Sequence, residues 1–312
     1  MNRKLVSVVT PCFNEEENVE ALYRRVKGEF EKLPDYDYEH VFIDNASDDH
    51  TVERLKRLAA EDSRVKIIVN ARNFGHIRSH VHGLLQARGD AVISLVADLQ
   101  DPPELIPAFL QRWEAGSQVV VGVKKTSQEN PIMFRIRKSY YSLLDDISEV
   151  RQIRNFTGFG LFDRKFIEVV RQLGEPYPYF RGLVAEFGVN IARIEYDQPA
   201  RTRGRTKNNF FTLYDIAVTG FVNHTKLPLR LAGFVGFAVA GVSLAISLVY
   251  FVMKLANWNG FQLGSAPVVV GLFFFAAVQL IFIGVIGEYV GAIYTQVKNR
   301  PHVIERERIN FE

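Results

Sequence analysis

Little in this chain supports several common function classes. It has one cysteine, Cys12, so no internal disulfide can form, as expected for a reducing compartment. No glycine-rich dinucleotide fingerprint follows the first apolar run, and no P-loop occurs anywhere. Those absences argue against a nicotinamide enzyme and a P-loop NTPase. Net charge is only +3, too weak a field to point to nucleic acid. The opening stretch MNRKLVSVVTPC is too short in apolar residues, and too quickly charged, for a secretion signal.

Charge is also absent locally. Leu231 to Met253 carries none, and neither does Leu255 to Gly287. Each contains the ~20 apolar residues needed to cross a bilayer. Two buried core helices would be the alternative, but two such runs joined by a short loop are rare in soluble domains. We expect spans at Leu231–Met253 and about Pro267–Gly287. Lys226 and Arg230 precede the first span, Lys298 and Arg300 follow the second, and only Lys254 lies between. Positive residues stay cytoplasmic, so both termini are expected there, with the Asn257–Ala266 loop outside. Upstream, Asn208–Leu227 is aromatic-rich, with Phe210, Leu213, Tyr214, Ala217 and Phe221 at helical spacing. It reads as an amphipathic helix in the membrane interface, or else as a core helix.

The first 200 or so residues alternate β-branched runs with helical periodicity. The runs are LVSVVT, HVFID, VKIIV, AVISLVA and QVVVGV; the helical segments are Glu15–Lys32, Thr51–Asp62, His76–Arg88 and Pro103–Ala115. This pattern predicts an α/β layered fold with a mostly parallel sheet. Ligands bind such sheets outside the carboxyl ends of the strands.

The residues after each run are therefore informative. They are Pro11, Phe13, Asn14 and Glu15; then Asp44, Asn45 and Ser47; then Asn70, Arg72, Asn73 and Gly75; then Asp98, Gln100 and Asp101. Caps and turns use the same residue types, and Asn14 with Glu17 reads as a capping box. Together, however, the four edges suit a nucleotide with a divalent cation. The last, SLVADLQDPPE, has Val96 where a second carboxylate would be useful. His76 and His80 have a zinc-compatible spacing, but no acid in the segment supports it.

The motifs VVTPCFNEEENV, FIDNASDDHT, NARNFGH and VADLQDPPEL resemble the family-two glycosyltransferases of the GT-A fold. They are most similar to polyprenyl-phosphate glycosyltransferases of the dolichol-phosphate mannose synthase type with two C-terminal membrane helices. The resemblance implies a Rossmann-like GT-A catalytic domain over 1–205, an interface helix over 206–229, a transmembrane hairpin over 230–300 and a cytoplasmic tail over 301–312. It implies nucleotide binding by Pro11, Phe13, Glu15, Ile43, Asp44, Asn45, Arg72, Asn73, Ala97 and Asp98. Arg201 and Lys207, in RTRGRTK, resemble a basic loop that covers the donor diphosphate. Asp98 and Gln100 are the implied ligands of Mg²⁺ or Mn²⁺, with Val96 replacing the first acid of the family's Asp-Ala-Asp.

Lys124, Arg135 and Ser139 match positions that hold an acceptor phosphate in the resembling family, Arg135 and Ser139 sharing one helix face. A phosphate monoester is already anionic and needs no general base. Several relatives carry an Asp-Phe pair where this chain has Gly158 and Phe159, while Asp163 reads as a helix cap. The implied activity is inverting transfer of a hexose from a nucleotide sugar to a polyprenyl monophosphate at the cytoplasmic membrane face. Alternatives are a diacylglycerol-type acceptor, or an impaired scaffold or translocation partner, for which Val96 is the best support. Gly287 and Gly291 leave a homo-oligomer open. Glu305 to Glu312 reads as an exposed, frayed tail.

Overall fold

The computed structural model describes residues 3–125, 153–175, 178–198, 227–256, 265–298 and 300–311. They fall into two compact units, one of Met1–Asp215 with Lys298–Glu312 and one of Ile216–Val297.

The first unit is built on one sheet. Its strands are β1 (Lys4–Cys12), β2 (Tyr36–Asp44), β3 (Val65–Asn70), β4 (Ala91–Ser94), β5 (Val119–Lys124), β6 (Phe156–Asp163), β7 (Ile191–Tyr196) and β8 (Glu305–Ile309). Their order across the sheet is β7-β5-β6-β4-β1-β2-β3-β8. The pairings β1·β2, β1·β4, β2·β3 and β5·β7 are parallel. Those of β6 with β4 and β5, and of β8 with β3, are antiparallel. Because β6 runs against both neighbours, β5 and β4 point the same way. The carboxyl ends of β1, β2, β3, β4, β5 and β7 therefore share one edge.

The helices are α1 (Val19–Phe30), α2 (Thr51–Glu61), α3 (His76–Gln86), α4 (Ile106–Glu114, entered by a 3₁₀ turn at Pro103–Leu105), α5 (Arg164–Leu173) and α6 (Phe180–Phe187). Successive strand residues face opposite sides, and both sides are apolar here. Val8, Phe42 and Ile67 pack against α1, α2 and α4, while Val9, Val41 and Ile68 pack against α3, α5 and α6. This two-sided burial explains the near-continuous apolar runs, which are typical of covered parallel strands. Each such side chain, fully buried, contributes about 1.5–3 kcal/mol. Gly83 lets α3 close on the sheet: a Cβ there would lie 2.9 Å from Val9 Cγ1 and 3.0 Å from Ile43 Cγ2.

Three expectations need correction. Asn14 does not cap α1, which begins at Val19 after a turn. It adopts φ 55°, and its side-chain oxygen accepts from the Asp48 amide at 2.9 Å, so it ties two loops together. The strand expected through Ala97 ends at Ser94, because the chain turns at Leu99 with φ 61°. The tail is not frayed over Glu305–Ile309: it supplies β8, pairing Ile309 with Ile67 and Arg308 with Ile68. Its alternating charges gave no strand signal, since only one face of an edge strand is covered.

The second unit contains α7 (Leu227–Ala256) and α8 (Ser265–Val297). Within them, Leu231–Ala256 and Phe274–Val297 are long and apolar enough to cross a membrane. Large apolar side chains such as Phe234, Phe237 and Leu280 are exposed, which water would penalise and lipid would not. The second helix continues past Gly287 to Val297, since no proline or turn residue stops it. The expected interface helix lies outside the described residues up to position 226.

Candidate active site at the carboxyl edge of the sheet

Two loops lock together beyond β1 and β2. The Asn45 amide donates to the Cys12 carbonyl at 2.9 Å. Asp44 is fully buried and accepts from the Ser47 amide at 3.0 Å and from the Ser47 hydroxyl. Burial pushes its carboxyl up, and these hydrogen bonds only partly offset that. The Ser47 hydroxyl in turn accepts from the Asn14 amide at 2.9 Å. Asp49 accepts from the Glu16 and Thr51 amides, and Glu15 accepts from the Asn18 side chain at 2.6 Å. Pro11 and Ile43 face each other in the β1–β2 register, and Phe13 follows, half-buried.

An amide network continues from there. The Asn45 side-chain oxygen accepts from Asn70 at 3.2 Å and from the Phe74 amide at 2.9 Å. Its nitrogen donates to Asn73 at 2.8 Å, and Asn73 also accepts from the Gly75 amide. Asn45 and Asn73 thus shape the loop that presents Arg72, whose guanidinium stacks 4.3 Å over Phe74. An amide at position 45 suits this role because it both donates and accepts.

Beyond β4 lies the acidic loop. Ala97 is buried, while Asp98 and Gln100 are half-buried. Asp98 accepts from the Gln100 amide at 3.1 Å, which holds the turn. Asp101 is 3% exposed and accepts from the Tyr196 hydroxyl at 2.5 Å. Burial pushes the Asp101 carboxyl up to about 6; the Tyr196 bond and the Lys124 charge pull it down, and Asp98 raises it. Asp98 and Asp101 follow β4 and Lys124 ends β5, so all three lie at the carboxyl edge of the sheet. Glu104 leaves the group: Arg25 holds it in a fork at 2.9 and 2.7 Å, joining α1 to the turn before α4.

Sequence reasoning placed Asp101 in the cluster without a role, and missed Tyr196, a lone tyrosine at the end of a short strand. Asp163 caps α5 as expected, accepting from the Lys165 amide at 2.8 Å. Gly158 takes φ 109°, and Phe159 is core. Of the zinc-spaced pair, His80 meets Ser94 at 2.7 Å, and nearby His82 meets Glu305 at 2.6 Å. Among the described residues, no three His, Cys, Asp or Glu side chains converge as a metal site. Arg135, Ser139, Arg201 and Lys207 lie outside the described residues.

A layered sheet whose strand ends carry amides, carboxylates and a cation, without a glycine-rich loop, fits the GT-A glycosyltransferase class that the motifs resemble. Residues 7–170 match glycosyl transferase family 2, and the chain belongs to that family. It is 34% identical over 300 residues to the SfII prophage-derived bactoprenol glucosyl transferase of Shigella flexneri, covering 96% of each chain. It is 33% identical over 305 residues to the bactoprenol glucosyl transferase of Shigella phage SfV, covering 97% of this chain and 99% of that one. A solved structure of glucosyl-3-phosphoglycerate synthase from Mycobacterium tuberculosis, with Mn²⁺ and UDP-glucose, superposes with a TM-score of 0.46 at 16% identity. That superposition covers 70% of this chain and 77% of the other.

Proposed function

We propose that this glycosyltransferase moves a hexose from a nucleotide diphosphate sugar to a polyprenyl monophosphate at the cytoplasmic face of a membrane, with inversion. The observation that carries the reading is the shared carboxyl edge, where Asp98 and Gln100 after β4 and Lys124 at the end of β5 lie on the same side of the sheet as the amide-shaped loops after β2 and β3. The end-to-end likeness to bactoprenol glucosyl transferases supports the acceptor, and the two apolar helices support a membrane location. The lysine and arginine flanks favour cytoplasmic termini.

The donor set can be tested for a divalent cation. Asp98 offers a half-buried carboxylate and Gln100 an amide oxygen, while Asp101 is engaged by Tyr196. Hard oxygens of this kind fit Mg²⁺ or Mn²⁺, provided substrate phosphates and water complete the shell. Asp98 and Gln100 would hold the ion, which when bound would offset charge on the departing diphosphate.

The remaining work falls to the chain itself. Pro11, Phe13, Glu15, Ile43, Asp44, Asn45, Arg72, Asn73 and Ala97 form or support the nucleoside pocket. Arg201 and Lys207 cover the diphosphate, where charge develops as the glycosidic bond breaks. Lys124, with Arg135 and Ser139, orients the acceptor phosphate for attack on the anomeric carbon from the opposite face. No side chain has to remove a proton from a phosphate monoester, so Gly158 in place of an acid is compatible with turnover.

Labelled nucleotide sugars supplied to membranes containing polyprenyl phosphate test the reading. The expected product is a glycolipid cleaved by mild acid. An acid-stable glycolipid formed with diacylglycerol would point to a lipid hydroxyl acceptor. No product with any donor, or full turnover in Asp98→Ala, would point to the non-enzymatic scaffold that Val96 favours.

A further inference from the structure

We propose that Tyr196 is a positioning residue for the cation: its bond to Asp101 holds the left-handed turn at Leu99 that presents Asp98 and Gln100. The inference rests on the transferase reading above. The segment from Val96 to Gln100 is anchored at both ends. Before it, the Leu95 amide donates to the Val9 carbonyl at 3.0 Å, which extends the pairing of β4 with β1. After it, Asp101, 3% exposed, accepts from the Tyr196 hydroxyl at 2.5 Å. Between these anchors the chain turns through Leu99 at φ 61°.

That backbone is unfavourable for leucine. In the left-handed region its Cβ crowds a neighbouring carbonyl, so glycine, asparagine and aspartate are the usual residues there. What leucine gains in return is packing against the core on the α1, α2 and α4 side of the sheet. A strained residue persists only where its surroundings over-determine it. The bond from the Gln100 amide to Asp98 at 3.1 Å is one constraint, inside the turn. The Tyr196 bond is a second, applied from β7, three positions across the sheet from β4.

The tyrosine is itself fixed. Its ring meets Phe159 edge-on with centroids 5.5 Å apart, and Phe159 meets Phe109 at 4.9 Å. A Cβ on Gly122 would lie 2.7 Å from Phe159 and 3.2 Å from Tyr196, so glycine leaves room for both rings over β5. The Tyr196 carbonyl also accepts from the Lys125 amide at 3.0 Å. Packing therefore aims the hydroxyl before any substrate arrives. Without that hydroxyl, the buried Asp101 carboxylate loses a donor and its place is no longer fixed. Leu99 is then released to relax toward an ordinary backbone. Asp98 and Gln100 flank Leu99 directly, so this relaxation alters the spacing of the two oxygens offered to the ion.

The test uses the full-length protein in lipid nanodiscs. Mn²⁺ is titrated calorimetrically in saturating UDP, or in GDP should UDP not bind. Tyr196→Phe is expected to weaken Mn²⁺ binding about fivefold, the scale of one lost buried hydrogen bond. The Mn²⁺ concentration for half-maximal turnover should rise in the same ratio, while KM for polyprenyl phosphate stays within about twofold of the parent. Asp101→Asn still accepts from the tyrosine, so it should bind Mn²⁺ as the parent does. Leu99→Asn tests the turn itself, because asparagine tolerates the left-handed backbone. Added to Tyr196→Phe, it should restore Mn²⁺ affinity to within about twofold of the parent, yet lower the melting temperature through lost packing. Affinity and stability then move in opposite directions, which a purely structural role of the tyrosine would not produce. If Tyr196→Phe fails to fold, Asp101→Ala removes the same bond and is carried through the same measurements, with and without Leu99→Asn. Parent-like Mn²⁺ binding in Tyr196→Phe overturns the inference. An equal loss in Asp101→Asn also overturns it, since Asp101 would then be a ligand of the ion rather than an anchor, as does a failure of Leu99→Asn to recover affinity. A parent that takes up no Mn²⁺ with either nucleotide overturns the functional reading beneath it, and the inference with it.

Discussion

The Glu305 carboxylate lies 2.6 Å from Nε2 of His82, joining the C-terminal strand to α3. Around this pair the strand is fastened repeatedly. Lys56 meets Glu307 at 2.6 Å, and the Asn310 side chain donates to the Ala59 and Val65 carbonyls at 2.9 Å each. The Ala71 amide donates to the Ile304 carbonyl at 2.8 Å, at the start of the loop that presents Arg72 and Asn73. The strand is therefore part of the catalytic unit and covers an edge that would otherwise be open to association.

Deleting residues 301–312 should accordingly unpair β3. The expected outcome is a lower melting temperature, faster deuterium exchange at the Ile67–Asn70 amides and a tendency to aggregate. Unchanged exchange in β3 would show that the strand contributes nothing to the edge. The milder Glu305→Gln should cost about 1 kcal/mol, the scale of a partly exposed ion pair.

Buried histidine sets a direction for acid sensitivity. His40 is fully buried beside Thr10 at 3.0 Å, and burial lowers its pKa to about 3. Burial likewise lowers that of His80 to about 4. In the unfolded chain both protonate near 6.5. The folded state thus binds fewer protons between those values, and stability should fall as pH drops below about 6.5. One such group contributes a slope of about 1.4 kcal/mol per pH unit. His40→Gln should flatten the fall between pH 6.5 and 5, leaving the His80 share. Urea unfolding at stepped pH reads this directly, and an unaltered slope would exclude His40 as a source.

Glu39 anchors the opposite end of the sheet. It is 3% exposed and accepts from Lys66 at 2.5 Å, Ser7 at 2.5 Å and the Arg88 amide at 2.7 Å. Burial opposes its ionisation, but these donors prevail and hold its pKa below the usual carboxylate value. Its stabilising share should be full above about pH 4.5 and be lost as pH falls through its lowered folded value. Glu39→Leu leaves Lys66 largely buried and unpaired, and should cost about 3 kcal/mol. The double variant Glu39→Leu with Lys66→Met should recover most of it. Equal destabilisation in single and double variants would contradict this account.

Much of this architecture was legible in the residues. Five β-branched runs located β1 to β5, because strands covered on both faces must be apolar along their whole length. The helices α1 to α4 followed from their periodicity, and the strand-end polar residues located the candidate site. Other parts were hidden for physical reasons. β6 is interrupted by Gly158 and Gly160, and β7, with Arg193 and Glu195, is only partly covered, so neither shows a continuous apolar run. β8 is charged and one-sided. Asn14 matched a cap pattern but was taken by Asp48, a partner 34 positions away. Tyr196 became informative only once β7 brought it to Asp101.

The carboxylate that is missing at position 96 leads to a gain-of-binding prediction. Val96 lies two residues before Asp98, past the end of β4, and is half-buried. The resemblance places an acid at this position, and the present donor set offers one available carboxylate plus an amide oxygen. A cation should therefore bind weakly until a nucleotide diphosphate adds its oxygens. Val96→Asp supplies a second hard anionic ligand and should tighten Mn²⁺ binding to the nucleotide-free protein about tenfold. With the diphosphate bound, the gain should shrink, because phosphate charge already meets most of the ion's demand. Burying an additional carboxylate without the ion should cost about 1–3 kcal/mol, so the variant should melt lower than the parent in chelator and recover on adding Mn²⁺. Calorimetric titration with and without UDP, alongside melting in both conditions, separates the effects. Equal Mn²⁺ affinity in parent and variant would mean that the turn at Leu99 aims position 96 away from Asp98.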